Sequence, residues 1–155
     1  MLFEEMTMKP TASAEWHGGL RIGEGAISAP SGVLSATPYS FVTRFENQHG
    51  TNPEELIAAA LAASFTMALS ARLVTLRFAP KRVHTTASVT LEFLNGAWTI
   101  SKIHLEVVAN VLRMTQREFE AAAEVARQCC PVSRLFNADI TLNARLEARH
   151  VRAVV

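Results

Sequence analysis

The chain has 155 residues, with 15 Lys and Arg against 14 Asp and Glu, for a formal net charge of +1. That is long enough for one domain with a real core, and the charge balance points to neither a nucleic-acid nor a membrane-surface partner. Two adjacent cysteines are too few and too close for a secreted disulfide scaffold, and the acidic, proline-broken start MLFEEMTMKP does not read as a signal peptide, so cytoplasmic residence is expected.

Taken in order, Ala14 to Ile22 and Gly25 to Ser28 read as short strands around Gly18-Gly19 and Gly23. The piece APSGVLSATP follows as a loop. Tyr39 to Glu46, YSFVTRFE, alternates as another strand, and NQHG turns the chain. A long helix over Thr51 to Val74 comes next. Asn52 suits the cap, Pro53 the first helical position and Glu55 a capping box, while two acids in the first turn favour the positive end of the helix dipole. Leu56, Ile57, Leu61, Phe65, Met67, Leu69 and Leu73 spread around the whole circumference, which predicts burial on nearly all sides. Ala59, Ala63, Thr66 and Ser70 form a small-residue face open to close approach by another helix. A membrane span is the rival, but alanine dominates, Arg72 interrupts the end, and strand-like polar sequence follows.

Val83 to Phe93 alternates cleanly, Asn95-Gly96 signals a hairpin, and Trp98 to Val111 returns with Ile103, Leu105, Val107 and Ala109 on one face. Thr115 with Glu118 makes a capping box for a second helix carrying Phe119, Ala122, Ala126 and Cys129, which Pro131 stops. Ser133 to Phe136 adds a turn, and Ile140 to Leu146 a last strand. The order of elements predicts an α+β fold in a single domain over 1–155.

Few residues offer chemistry. Five histidines (His17, His49, His84, His104, His150) are scattered without metal-ligand spacing. His84 and His104 could meet across the hairpin, but surface imidazoles are the better explanation. Phosphate-loop, dinucleotide and nucleophile-elbow patterns are absent. Cys130 sits at a helix end in QCCPVS, whereas Cys129 reads as a small hydrophobe. Ser64 is a lone hydroxyl among apolar neighbours, which could simply bond back to the carbonyl four residues earlier. Glu54 could act in a site or merely neutralise the helix dipole.

The blocks FVTRFENQHGTNPEELIAAALAASFTMALS, HTTASVTLEF, TISKIHLEV and CPVSRLFNADITLNARL together resemble the OsmC/Ohr family, in its osmotically inducible protein C branch, from about Trp16 to Leu146. The resemblance implies antiparallel sheets around a long buried central helix in an intertwined homodimer, with active sites at the dimer interface. It also implies thiol-dependent reduction of organic hydroperoxides, with no bound cofactor and with an external dithiol or lipoyl reductant. It places the resolving cysteine at Cys130, the family glutamate at Glu54 and a thiolate-holding arginine at Arg44, with Arg21 as the weaker candidate. Where the family has its peroxidatic cysteine, this chain has Ser64. A serine hydroxyl is far less acidic than a thiol and cannot form a sulfenic acid, so peroxidase deficiency is expected. The alternative expectation is a non-enzymatic relative that binds a hydrophobic ligand at the dimer interface. Glu54 and Ser64, ten residues apart on one helix, are separated by roughly 15 Å, so a shared site would need two subunits.

Overall fold

The structure, a computed structural model, describes residues 7–46 and 48–147; His150 and the first six residues of the N-terminal stretch lie outside them. The chain divides into two compact units, Met1–Pro53 and Glu54–Val155.

In the first unit, β1 (Ser13–His17), β2 (Glu24–Ser28) and β3 (Thr37–Ser40) form an antiparallel sheet in the order β1-β2-β3. Trp16 pairs with Gly25, and Gly25 with Tyr39. The missing side chain at Gly25 lets the Trp16 and Tyr39 rings meet above it, 5.4 Å between centroids; a Cβ there would come within 2.5 Å of Tyr39. The first strand ends at His17, short of the expected Ile22, because Gly18 turns the chain at φ +89° and the Gly23 N–H bonds to Gly19 O at 2.7 Å.

The expected strand over Tyr39 to Glu46 is corrected. Only its first two residues are extended, and Phe41–Phe45 form a short helix, α1. Ser40 caps α1: its hydroxyl accepts from the Thr43 N–H, and Thr43 Oγ1 accepts from the Ser40 N–H at 2.9 Å. This local box outweighs the alternating pattern.

The second unit is built on α2 (Pro53–Thr75), which opens with proline at its first position and Glu54 and Glu55 in its first turn. Leu61, Phe65, Leu69 and Leu73, at steps of four, are fully buried. They share a core with Ile103, Leu105, Val107 and Ala109 of β5 and with Phe119, Ala122 and Ala126 of α3. β4 (Pro80–Leu94) and β5 (Ala97–Val111) form the expected long hairpin, turning at Asn95 and Gly96 with φ of 50° and 83°. The strand β6 (Asp139–Leu146) lies beside β5 in parallel, so this sheet is mixed rather than antiparallel throughout. The helix α3 (Gln116–Cys129) carries the Thr115–Glu118 capping box in both directions.

The central helix is not buried on nearly all sides within one chain. Ala59, Ala63, Met67, Ala71 and Val74 are exposed. The apolar residues around its circumference thus divide between a face used by this chain's own sheet and a face left to solvent. By length and composition α2 could also cross a membrane, but its buried stripe packs as that of a core helix does.

Candidate active site

Two elements of the second unit bring their side chains together. Ser64 stands beside the buried stripe of α2 and is half-buried, since Phe65 takes the core-facing direction. Cys130 is the C-cap of α3. Its N–H still bonds to Ala126 O at 2.8 Å, but its backbone has left the helix at φ −62°, ψ 121°. Pro131 enforces that exit, because a residue before proline is driven out of the helical region. A one-turn 3-10 helix over Ser133–Leu135 then folds back, with the Arg134 N–H bonded to Cys130 O at 3.1 Å.

The result is direct contact: Ser64 Oγ lies 3.2 Å from Cys130 Sγ. The local bond expected of Ser64, back to the carbonyl four residues earlier, is made instead by Thr66, to Ala62 O at 2.7 Å. The Cys130 side chain is fully buried, and burial pushes its thiol up. The Ser133 and Ser64 hydroxyls and the Ser133 and Val132 N–H groups around the sulfur more than offset this, so the thiol is held below its ordinary value of 9.0. The two hydroxyls are not equal. Among the described residues Ser133 Oγ is buried with no hydrogen-bond partner, whereas Ser64 meets both distance and angle, so the Ser64 contribution is the one with defined geometry. Cys129 differs from expectation: it is exposed rather than a buried hydrophobe, because the chain leaves the helix one residue later.

Glu54 is in the first turn of α2, and the helix runs unbroken to Thr75, so about 15 Å of rise separates it from Ser64. Arg44 belongs to α1 in the first unit, its guanidinium 5.0 Å from the Phe45 ring centre. Arg21 lies 4.9 Å from that of Phe41. His84 and His104 do not meet across the hairpin, in line with the preferred reading of them as separate imidazoles: the register pairs His84 with Val108 and His104 with Ser88, and His104 Nδ1 meets Thr141 Oγ1 at 2.8 Å. Among the described residues no group of histidines, cysteines and carboxylates could hold a metal ion. The residue that sequence inspection passed over is Ser133. Its signal was available in CPVS, where a hydroxyl three residues after a sulfur resembles a helix-capping spacing.

The family model for OsmC-like proteins matches residues 46–145. The chain belongs to the OsmC family. It is 42% identical over 143 residues to peroxiredoxin OsmC of Escherichia coli strain K12, covering 92% of this chain and 100% of that relative. Solved structures agree in fold. The organic hydroperoxide resistance protein OhrB of Bacillus subtilis superposes with a TM-score of 0.60 at 23% identity, over 88% of this chain and 98% of that one. An OsmC-like protein from Mycoplasma pneumoniae gives 0.71 at 12% identity, over 92% and 100%. An α+β OsmC fold is therefore established for this chain.

Proposed function

We propose that this OsmC-family chain carries the framework of a thiol-dependent organic hydroperoxide reductase in which Ser64 occupies the position of the peroxide-attacking sulfur, leaving the chain as it stands deficient in that reduction. The names of its relatives, a peroxiredoxin and a hydroperoxide resistance protein, support the reaction class. The observation that carries the site is the 3.2 Å contact between Ser64 Oγ and Cys130 Sγ.

The chemistry follows from that contact. A thiolate at position 64 would attack the peroxide O–O bond, becoming a sulfenic acid while the alkoxide leaves and takes a proton as the alcohol. The Cys130 thiolate would then attack that sulfenic sulfur, expelling hydroxide, which leaves as water, and forming a disulfide. An external dithiol or lipoyl donor would return both sulfurs to thiols. Ser64 can supply the hydrogen bond to Cys130 but not the first step, because its oxygen is a poor nucleophile unaided and cannot become a sulfenic acid.

The exposed stripe of Ala59, Ala63 and Met67 supports a homodimer, in which α2 of each copy covers the other. Helix arithmetic keeps Glu54 away from Ser64 of its own chain, so Glu54 and Arg44 (or Arg21) of a second copy would complete the site. Such a protein would work in the cytoplasm.

The test is consumption of cumene hydroperoxide with dithiothreitol, or with a lipoyl donor, by the chain and by Ser64→Cys. The expected result is a silent parent and a variant that turns over. Equal turnover by both would show that Ser64 is not the missing sulfur. Silence from both would favour the reading as a binder of hydrophobic ligands.

A further inference from the structure

After Cys130 and Pro131 the chain closes on itself, with the Arg134 N–H on Cys130 O and the Leu135 N–H on Val132 O, both at 3.1 Å. This closure leaves Arg134 and Leu135 exposed and carries Ser133 inward, where Val132 and Phe136 pack partly against the core on either side of it. Ser133 is the one buried polar residue among the described residues, 6% exposed against 0% for Cys130. Its Oγ is sealed from water and has no hydrogen-bond partner among the described residues. That hydroxyl nevertheless bears on the sulfur. Burial pushes the Cys130 thiol up, and of the groups that pull it down the Ser133 hydroxyl comes first, ahead of Ser64 and of the Ser133 and Val132 N–H groups; no charged side chain is among them.

A sealed hydroxyl without a partner is costly in the state that leaves it so. The neutral thiol is a weak acceptor that keeps its own proton. Once ionised, the same sulfur is a charged acceptor, and a charge-assisted bond is roughly twice as strong as a neutral one. Only the hydroxyl proton has to swing about the Cβ–Oγ bond, since the oxygen is already beside the sulfur. A bond missing in the thiol and made in the thiolate goes wholly into favouring ionisation.

We propose that Ser133 is a positioning residue for the resolving sulfur: its sealed hydroxyl donates to Cys130 Sγ when that sulfur is a thiolate, and holds it ready to attack an oxidised sulfur at position 64. This rests on the reading of Cys130 as the resolving sulfur. The Cys130 proton goes to water, the new S–S bond forms as the sulfenic S–O bond breaks, and the departing hydroxide leaves as water. In the chain as it stands Ser64 Oγ, 3.2 Å from the same sulfur, shares this duty. Ser64→Cys removes that hydroxyl and leaves Ser133 as the remaining one of the two.

The first measurements need no peroxide. In a Cys129→Ser background Cys130 is the single thiol, and its ionisation is followed by the ultraviolet absorbance of the thiolate, with Cys130→Ala as the blank. Ser133→Ala is expected to move that titration to higher pH, and Ser133→Thr, which keeps the hydroxyl, to restore most of it. The stability of Ser133→Ala relative to its parent is expected to change sign with pH. While Cys130 is a thiol the lost hydroxyl had no partner, so the urea midpoint of the variant equals or exceeds that of the parent; once Cys130 is ionised the variant lacks a bond to the thiolate and falls below. In a Cys130→Ala background this pH dependence should vanish. An unmoved titration, an equal movement in Ser133→Thr, or a stability difference that ignores pH would each overturn the proposal.

The last measurement gives Ser64→Cys one equivalent of cumene hydroperoxide. At neutral pH Ser133→Ala in that background should hold roughly tenfold less thiolate, partly offset by its greater nucleophilicity, and form the disulfide from position 64 to Cys130 about threefold more slowly. In alkali, with both forms ionised, it should be as fast or faster. A deficit of the same size at every pH would contradict the assignment. If position 64 is not oxidised at all, the peroxidase reading fails, and the thiol titration still decides the role of Ser133.

Discussion

Replacing Ser64 by cysteine tests the geometry of the site independently of any substrate. The Ser64 oxygen and Cys130 sulfur are 3.2 Å apart, and a disulfide requires about 2.0 Å, so an approach of roughly 1.2 Å is needed. A longer carbon–sulfur bond supplies part of it. The two positions are 66 residues apart in sequence, and closing a loop of that length removes unfolded-chain entropy worth about 4 kcal/mol at most. In a chain of this size that corresponds to a rise in melting temperature of roughly 10 °C. The assay compares thermal or urea unfolding of Ser64→Cys after mild oxidation with the same sample in dithiothreitol, and uses the parent as control. Cys129→Ser in the same background removes the exposed neighbour as a competitor. The parent should show no oxidant-dependent gain. If the oxidised variant is no more stable than its reduced form, or if its bridge maps to Cys129, the reasoning fails.

Further outcomes follow from other parts of the structure. Phe65→Ala should cost about 3–5 kcal/mol in a denaturant titration, since the ring is fully buried beside the β5 residues. The depressed Cys130 thiol makes the folded state shed its proton before the unfolded state does. Stability relative to Cys130→Ala should therefore rise with pH from the folded value up to about 9.0, and fall away as pH drops through the folded value; urea midpoints across that interval read it. Ala63→Arg, on the exposed stripe of α2, should shift the proposed homodimer toward monomer in analytical ultracentrifugation without loss of helicity. Arg77→Gly should stabilise by about 1 kcal/mol, because it relieves the left-handed strain at the end of α2 while keeping both closing bonds, from the residue 77 N–H to Val74 O and from the Phe78 N–H to Leu73 O.

Much of the fold could be read from local pattern. The alternation of Ile103, Leu105, Val107 and Ala109, the Asn95-Gly96 turn and the Thr115–Glu118 box each follow from neighbours in sequence. The errors have physical causes as well. YSFVTRFE alternates like a strand, but a serine–threonine box three residues apart turned most of it into helix. The sequence of β6 is equally compatible with parallel and antiparallel pairing, and its direction is set by the return path from α3. The apolar circumference of α2 was legible, but which part this chain covers depends on where its own sheet lies. At the site, CPVS and the position of Ser64 were visible as separate features. Their contact spans 66 residues, and no spacing rule reaches that far.

The most direct test of the proposed two-sulfur site is to give reduced Ser64→Cys a single equivalent of cumene hydroperoxide and map its thiols by mass spectrometry. The account predicts one disulfide joining position 64 to Cys130, with Cys129 still free. A free Cys130 beside a position 64 driven on to sulfinic acid would contradict it.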